Sequence, residues 1–282
     1  MIFRTFKNVN FYSLTLATYY HKKGYFGVRK ALFSRNGLHL QLNPGTLEVS
    51  LLNTLSGAYE EQLNLVCNIF DLSGQSIGSQ NYSVSMIEGN TVRSFPPIVW
   101  PSKATKDDVY LFILSLYPAS SVEAVEERNY YWLSDPSNQF PNYTQLAHMR
   151  DDINGPLLEV SACGHVNGRV LKVDVSLENL ESVIPGELNV AFMVTFSLHY
   201  STIAQVYKES DSRNKESDDD RVLPSFYGDN YLIILPGETV SSFVEHDYET
   251  PDTESKEIDW GSYYLSVEGW NVPSHTYEIK AC

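Results

Sequence analysis

A serine flanked by glycines is the first group in this sequence that could do chemistry. Gly74-Gln75-Ser76-Ile77-Gly78 matches the GxSxG nucleophile elbow, in which a strand-to-helix turn presents the serine to a histidine and an acid. Here the segment lies between two strand-like runs, and Leu72-Ser73-Gly74-Gln75 has the composition of a hairpin turn in which Gly74 takes positive φ. We therefore interpret the match as a glycine-bearing hairpin.

Acidic and histidine residues suggest metal or glycosidase chemistry, but their arrangement fits neither. Glu245-His246-Asp247 holds three metal-ligand types, yet adjacent residues of a strand face opposite sides and do not close on one ion. A glycosidase needs two carboxyl groups about 5 to 9.5 Å apart in a cleft. Most acids here lie in charged stretches such as 208–221 and 249–259, so we expect no catalytic residue, metal or cofactor.

Aromatic residues make up 13% of the chain and could bind sugar rings by stacking. The alternative is that they fill the core and contact a partner, which we favour because Trp100 lies among prolines and Trp270 beside a turn. Candidates for a sugar contact, or for a contact with a partner domain, are Trp132 and Tyr227. Trp260 and the tyrosines next to Trp132 share the same two interpretations.

Two sequons, Asn81-Tyr82-Ser83 and Asn142-Tyr143-Thr144, make Asn81 and Asn142 candidate glycan acceptors if the chain enters the secretory pathway. The apolar patch at 11–16 is too short to span a membrane, and no clear cleavage site for a signal peptide follows it. We expect a soluble protein, with the compartment left open.

The charge balance excludes polyanionic partners. Lysine and arginine number 20 against 35 acidic residues, so the net charge of -15 repels nucleic acid and anionic lipid. We therefore expect no nucleic acid and no membrane among the partners.

Three cysteines are an odd number without a CxxC pair, so neither a zinc knuckle nor a disulfide framework is indicated. Cys67 and Cys163 lie in apolar runs and are predicted to be core thiols. No role is predicted for Cys282.

The chain reads as all-β from Leu38 onward. Short runs rich in valine, isoleucine, tyrosine and phenylalanine are separated by turn-forming residues, as in β-sandwiches. Leu171, Val173, Val175 and Leu177 alternate with polar residues, which predicts one buried face. The continuous apolar run 109–117 predicts a central strand covered on both faces. About eleven runs follow this pattern: LHLQLN, TLEVSLLN, QLNLVCNIFDL, NYSVSMI, DVYLFILSLY, RVLKVDVSLEN, ELNVAFMVTFSLHY, YLIILPG, TVSSFVEHDY, SYYLSVEGWNV and TYEIKA.

Length and turn-forming residues predict two domains. The stretch 134–142 has no hydrophobic periodicity, and Asn154-Gly155-Pro156 is a second turn-forming segment. Together they indicate a linker at 137–156. The first sandwich then covers 37–136, the second covers 157–282, and 1–36 forms an N-terminal extension.

Several short sequence segments together resemble family 2 glycoside hydrolases, in the group of the endo-β-mannosidases and exo-β-glucosaminidases. Gly24-Tyr25-Phe26-Gly27-Val28-Arg29-Lys30-Ala31 is similar to the segment that ends the (β/α)8 barrel of those enzymes. The phrases similar to their trailing sandwiches are LEVSLLN at 47–53, DLSG at 71–74, NYYWLS at 129–134, LPSFYGDNY at 223–231, LPGE at 235–238 and GWNV at 269–272. The resemblance covers about residues 24 to 280.

This resemblance implies two immunoglobulin-like β-sandwich domains preceded by a short remnant of the barrel end. It also implies that the catalytic glutamates lie on a barrel outside this chain, so the chain would be a non-catalytic portion or subunit of an enzyme that cuts Manβ1-4GlcNAc in N-glycans. The implied partners are a barrel-bearing catalytic chain or domain and an oligosaccharide, and the implied compartment is vacuolar or secretory if the protein is plant-like. A freestanding carbohydrate-binding module and an immunoglobulin-like interaction protein remain as alternatives.

Overall fold

Sixteen strands and one α-helix dominate the part of the chain that the computed structural model describes. Those residues are 26, 29, 34, 36–105, 108–121, 125, 127–135, 141–151, 155–184, 187–201, 220–247 and 258–282. The all-β prediction of two sandwich domains is confirmed. The predicted barrel-end remnant within 1–36 lies outside the described residues, apart from Phe26, Arg29, Ser34 and Asn36. The predicted charged loops at 208–221 and 249–259 also lie largely outside them.

The described residues fall into two compact units. The first includes those between 27 and 151 and between 183 and 189, and the second includes residue 26 and those of 152–182 and 190–282. The linker at 137–156 stays a prediction. Within that stretch, helix α1 spans Thr144–Asp151 and buries Met149.

The first unit contains two antiparallel sheets, ordered β1-β2-β5 and β4-β3-β6-β7. Side chains alternate along β3, where Leu63, Leu65, Cys67 and Ile69 are buried, and they join a core shared with the other sheet. Strand β6 lies inside its sheet and is buried along nearly its whole length, as its apolar run predicts. The strands of this unit are β1 (Leu38–Leu42), β2 (Val49–Asn53), β3 (Leu63–Phe70), β4 (Ser76–Val84), β5 (Thr91–Phe95), β6 (Val109–Pro118) and β7 (Glu127–Ser134).

The β3–β4 connection is the predicted hairpin. Gly74 has φ +88°, a value that glycine adopts without strain. Asp71 Oδ1 accepts hydrogen bonds from the Ser73 and Gln75 backbone N–H groups, at 3.0 and 2.9 Å, which holds the turn closed. The GxSxG match is therefore a strand-to-strand turn, and Ser76 is an exposed residue at the start of β4.

The second unit also contains two sheets, ordered β12-β10-β14-β15 and β11-β13-β9-β8-β16. The predicted buried face of β9 is confirmed, because Leu171, Val173, Val175 and Leu177 all lie in the core. The strands are β8 (Leu158–Asn167), β9 (Val170–Asn179), β10 (Ala191–Tyr200), β11 (Ser225–Tyr227), β12 (Leu232–Ile234), β13 (Thr239–Asp247), β14 (Tyr263–Glu268), β15 (His275–Glu278) and β16 (Lys280–Ala281).

Two buried asparagines complete the hydrogen bonding of strand β10. The β10–β12 register is irregular between Ala191 and Val194, where Met193 has φ +53°. The amide of Asn230 accepts from the Phe196 N–H at 3.0 Å and donates to the Phe196 carbonyl at 2.9 Å. The amide of Asn271 accepts from the Phe192 N–H and donates to the Val190 carbonyl, each at 2.9 Å. Both side chains act as short substitutes for a neighbouring strand.

The cysteine prediction is correct for Cys67 and wrong for Cys163. Cys67 is fully buried in the first core, and this burial raises the pKa of its thiol to about 12. Cys163 is half-buried and forms a disulfide with Cys282. The pairing depends on β16 lying parallel to β8, a contact between distant parts of the chain that local sequence patterns do not reveal.

The first core predicts a strong contrast between two truncations. Leu65→Ala removes a side chain that is 0% exposed on an inner strand, so the unfolding free energy should fall by about 2 to 5 kcal/mol. Val92→Ala, on β5 of the same unit, removes a side chain that is 62% exposed and should change it by less than about 0.5 kcal/mol. Urea denaturation followed by circular dichroism measures both, and equal effects would contradict this packing.

Candidate functional site

Strand β7 directs alternate side chains to opposite faces, and this places the predicted aromatic segment. Asn129 and Tyr131 face the first core. The Asn129 amide donates to the Leu40 carbonyl at 3.0 Å, and the Leu42 N–H donates to the Tyr131 hydroxyl at 3.0 Å. Burial raises the pKa of Tyr131, while the bond from Leu42 opposes this rise. Tyr131 therefore fixes β7 against β1 and is not available as a binding ring.

Arg128, Tyr130 and Trp132 lie on the other face of the strand, and we call them the β7 outer row. All three are half-buried, and β7 is the last strand in the order of its sheet. The Arg128 guanidinium carbon lies 5.1 Å from the centre of the Tyr130 ring, a cation–π distance. On β6, Trp132 is opposite Leu111 and Tyr130 is opposite Ile113.

The β7 outer row combines two chemistries. Aromatic rings can pack against the apolar faces of sugar rings or against side chains of another domain. A guanidinium group offers several N–H donors, which suit hydroxyl or carboxylate oxygens. The row thus places the predicted contact residue Trp132 beside a tyrosine and an arginine on one strand face.

Tyr227, the second predicted contact residue, lies inside the second unit. Its side chain is 6% exposed, and this burial raises the pKa of its hydroxyl. The ring makes edge contacts with Phe196 at 5.5 Å and with Phe26 at 6.4 Å between ring centres. Phe26 also contacts Tyr231 at 5.5 Å. Tyr227 therefore packs against Phe26 and Phe196, and its role as a sugar or barrel contact stays a prediction.

The other tryptophans have different environments. Trp100 packs against Phe112 with ring centres 5.5 Å apart, which confirms the core-filling interpretation for this residue. Trp260 is half-buried in the second unit beside Tyr263. Trp270 is 37% exposed. None of these three tryptophans belongs to the β7 outer row.

The two sequons differ in their local structure. Asn81 is exposed on β4, which is the other outer strand of its sheet, and Ser83 two residues later shares its exposure. Asn142 is half-buried, and its side-chain oxygen accepts from the N–H and the hydroxyl of Thr144, at 3.1 and 2.8 Å. Asn142 thereby closes a turn just before α1, whereas Asn81 is exposed.

The Glu245-His246-Asp247 segment occupies the end of β13. His246 Nδ1 lies 2.8 Å from the Pro224 carbonyl oxygen, and Asp247 forms an exposed ion pair with Arg169 at 3.7 Å. His246 and Asp247 thus have separate partners. Across the described ranges no three His, Cys, Asp or Glu residues are grouped closely enough to hold a metal ion. No helix within those ranges is long and apolar enough to cross a membrane.

Sequence reasoning missed a buried polar pair on β10. Ser197 Oγ lies 2.8 Å from His199 Nε2, and the His199 ring stacks on Tyr264 with ring centres 5.0 Å apart. Both side chains are buried. The available signal was a serine and a histidine at i, i+2 inside an otherwise apolar strand, which places them on one face.

We propose Asn81 as the glycan acceptor of the first unit, and secretory expression tests it. Treatment with an N-glycan-cleaving amidase should increase the gel mobility of the wild-type chain. Asn81→Gln or Ser83→Ala should abolish the part of this increase that comes from a glycan on Asn81. Ser79→Ala, an exposed change on the same strand that leaves the sequon intact, is the control. A glycan found by mass spectrometry at Asn142 alone would contradict the assignment.

Comparison with known proteins gives a consistent picture. No family model matches the chain. The mannosylglycoprotein endo-beta-mannosidase of Lilium longiflorum is 23% identical over 299 aligned positions, covering 91% of this chain and 28% of that protein. The chain therefore spans less than a third of the length of this relative.

Solved structures share the fold. The exo-chitosanase CsxA of Amycolatopsis orientalis matches with a TM-score of 0.64 and 20% identity, covering 90% of this chain and 27% of that one. A second structure, on inhibition of the exo-beta-D-glucosaminidase CsxA, matches with a TM-score of 0.63 and 20% identity at the same coverage. The resemblance to family 2 glycoside hydrolases that the sequence indicates is confirmed as a similarity, in sequence to a mannosylglycoprotein endo-beta-mannosidase and in fold to an exo-chitosanase.

Proposed function

We propose that this chain is the non-catalytic β-sandwich portion of a family 2 glycoside hydrolase that, when complete, acts on the Manβ1-4GlcNAc linkage of N-glycans. The observation that carries the proposal is an alignment that covers 91% of the chain, at 23% identity, with a mannosylglycoprotein endo-beta-mannosidase. The fold of the two sandwich units, shared with an exo-chitosanase, supports it.

The division of labour follows from the chemistry of glycoside hydrolysis. A retaining enzyme holds a proton donor and a nucleophile about 5 Å apart in a sugar-sized pocket. In the family that the chain resembles, these glutamates are expected on a (β/α)8 barrel, which supports the proposal. The strands of this chain then act as scaffold, and the partner is a barrel-bearing chain or domain of the same enzyme.

The β7 outer row is the surface that we assign to this partner or to the oligosaccharide at the rim of its cleft. It lies on the last strand in the order of its sheet, on the face opposite the first core. Tyr130 and Trp132 present large apolar rings, and Arg128 adds a positive charge to a chain whose net charge is -15. Aromatic residues and arginine are the types that contribute most to protein interfaces.

An assay of the purified chain tests the proposed function. A Manβ1-4GlcNAc substrate should remain intact with this chain alone. Hydrolysis should appear, or increase, when a barrel-bearing chain of an endo-β-mannosidase is added and a complex forms. Turnover by the isolated chain would overturn the non-catalytic assignment, and a failure to bind the barrel chain would overturn the assigned partner.

Substitution of Trp132 tests the surface. Trp132→Ala should weaken binding to the barrel chain roughly 30-fold if it behaves as an interface hot spot of about 2 kcal/mol. If the ring contacts sugar instead, binding to the barrel should persist while KM for the oligosaccharide rises. Phe226→Ala, which removes a 49% exposed aromatic ring from the second unit, is the matched control and should change neither value. An unchanged Trp132→Ala protein would remove the β7 outer row from the proposal.

A freestanding carbohydrate-binding module is the second candidate function. The specific observation that favours it is the pair of rings on one strand face, since Tyr130 and Trp132 are two residues apart on β7. Calorimetric titration of the isolated chain with N-glycan oligosaccharides separates the two candidates. Sugar binding without affinity for a barrel indicates the module, and neither property indicates an immunoglobulin-like interaction protein.

A further inference from the structure

The Cys163–Cys282 disulfide joins two distant parts of the second unit. The cysteines are 119 positions apart in sequence, and their Cα atoms lie 5.4 Å apart. Strand β16 runs parallel to β8, with Lys280 opposite Cys163 and Ala281 opposite Gly164. The Cys282 N–H donates to the Gly164 carbonyl at 3.1 Å.

Among the described strands, β16 pairs with β8 alone. The strand has two residues, both exposed, and parallel pairing is less stable per residue than antiparallel pairing. Ile279, immediately before it, is buried in the second core. A ladder of two exposed residues contributes little by itself, so the covalent bond carries much of the attachment.

The surroundings of the bond allow exchange with a dissolved thiol or disulfide. Cys282 is exposed, and its sulfur lies 3.9 Å from His165 Nδ1. His165 Nδ1 also lies 3.6 Å from a carboxylate oxygen of Asp174. The sulfur thus lies at an exposed, polar edge of the unit, where a dissolved thiolate can reach it.

The third cysteine has the opposite properties. Cys67 lies in the other unit, is 0% exposed, and has a thiol pKa of about 12. At neutral pH it stays protonated and shielded, so it does not compete for either partner. The chain therefore contains one exchangeable pair and one inert thiol.

We infer that Cys163 and Cys282 are an oxidative modification site, and that their bond is a clamp that keeps strand β16 on β8 in an oxidising compartment. The oxidant is a low-molecular-weight disulfide or the disulfide of an exchange enzyme. One cysteine thiolate attacks that disulfide, forms a mixed disulfide and releases one thiolate. The second cysteine thiolate attacks the mixed disulfide, forms the Cys163–Cys282 bond and releases the other thiolate. The two protons lost by the cysteines end on the two released thiols.

Thiol trapping of the full chain tests the bond. The chain is secreted from eukaryotic cells, blocked with iodoacetamide, unfolded, and mapped by mass spectrometry with and without prior reduction. We expect a linked Cys163–Cys282 peptide pair, with Cys67 alkylated only after unfolding. Three alkylated cysteines in the unreduced, unfolded sample would overturn the inference.

Thermal unfolding and hydrogen exchange test the clamp. Reduction of the wild-type chain should lower the Tm of the second unit by roughly 5 to 15 °C, as expected for loss of a long-loop disulfide. It should also speed exchange of the Cys282 amide, which is bonded to Gly164 only while β16 is in place. Cys282→Ser should have the Tm and the exchange rate of the reduced protein, and adding reductant should change neither. Cys67→Ala should show the same change on reduction as the wild-type chain. An equal Tm and equal exchange with and without reductant would overturn the clamp.

Discussion

The second sandwich depends on pairing the buried backbone of β10, the strand that lies between β12 and β14. Buried N–H and C=O groups must find partners, and an irregular register leaves part of this strand without a regular ladder. Asn230 and Asn271 supply those partners with side-chain amides, each serving one donor and one acceptor of the main chain. Both amides are themselves buried, so losing either would leave unsatisfied polar groups in the core.

The hydrogen bonds of Asn230 and Asn271 to β10 also fix the positions of neighbouring residues in this unit. Asn230 follows Tyr227 by three positions, so holding its amide on Phe196 also holds the aromatic cluster around Phe26. At Asn271 the backbone passes so close to Gly155 that a Cβ there would lie 1.7 Å from the Asn271 carbonyl oxygen. Glycine is therefore required at 155 for a packing reason, in addition to the turn that the sequence indicated.

Period-two alternation and apolar runs predicted the strands whose faces differ most in polarity, such as β9, and the fully buried β6. Strand β8 was missed because it mixes small and polar residues, and β5 because three of its five residues are exposed. The disulfide and the asparagine pairings escaped prediction because they join residues far apart in sequence. For the candidate site, the sequence identified Trp132, but its placement beside Arg128 and Tyr130 became evident only from strand geometry.

The polar character of β4 bears on how copies of this protein behave at high concentration. An outer strand offers main-chain groups that another sheet can join, and natural proteins oppose such joining with polar or bulky groups. Asn81 and Ser83 stand on this strand, facing water. A branched glycan attached at Asn81 would block strand pairing between copies sterically, and so would oppose fibril formation and aggregation at high concentration.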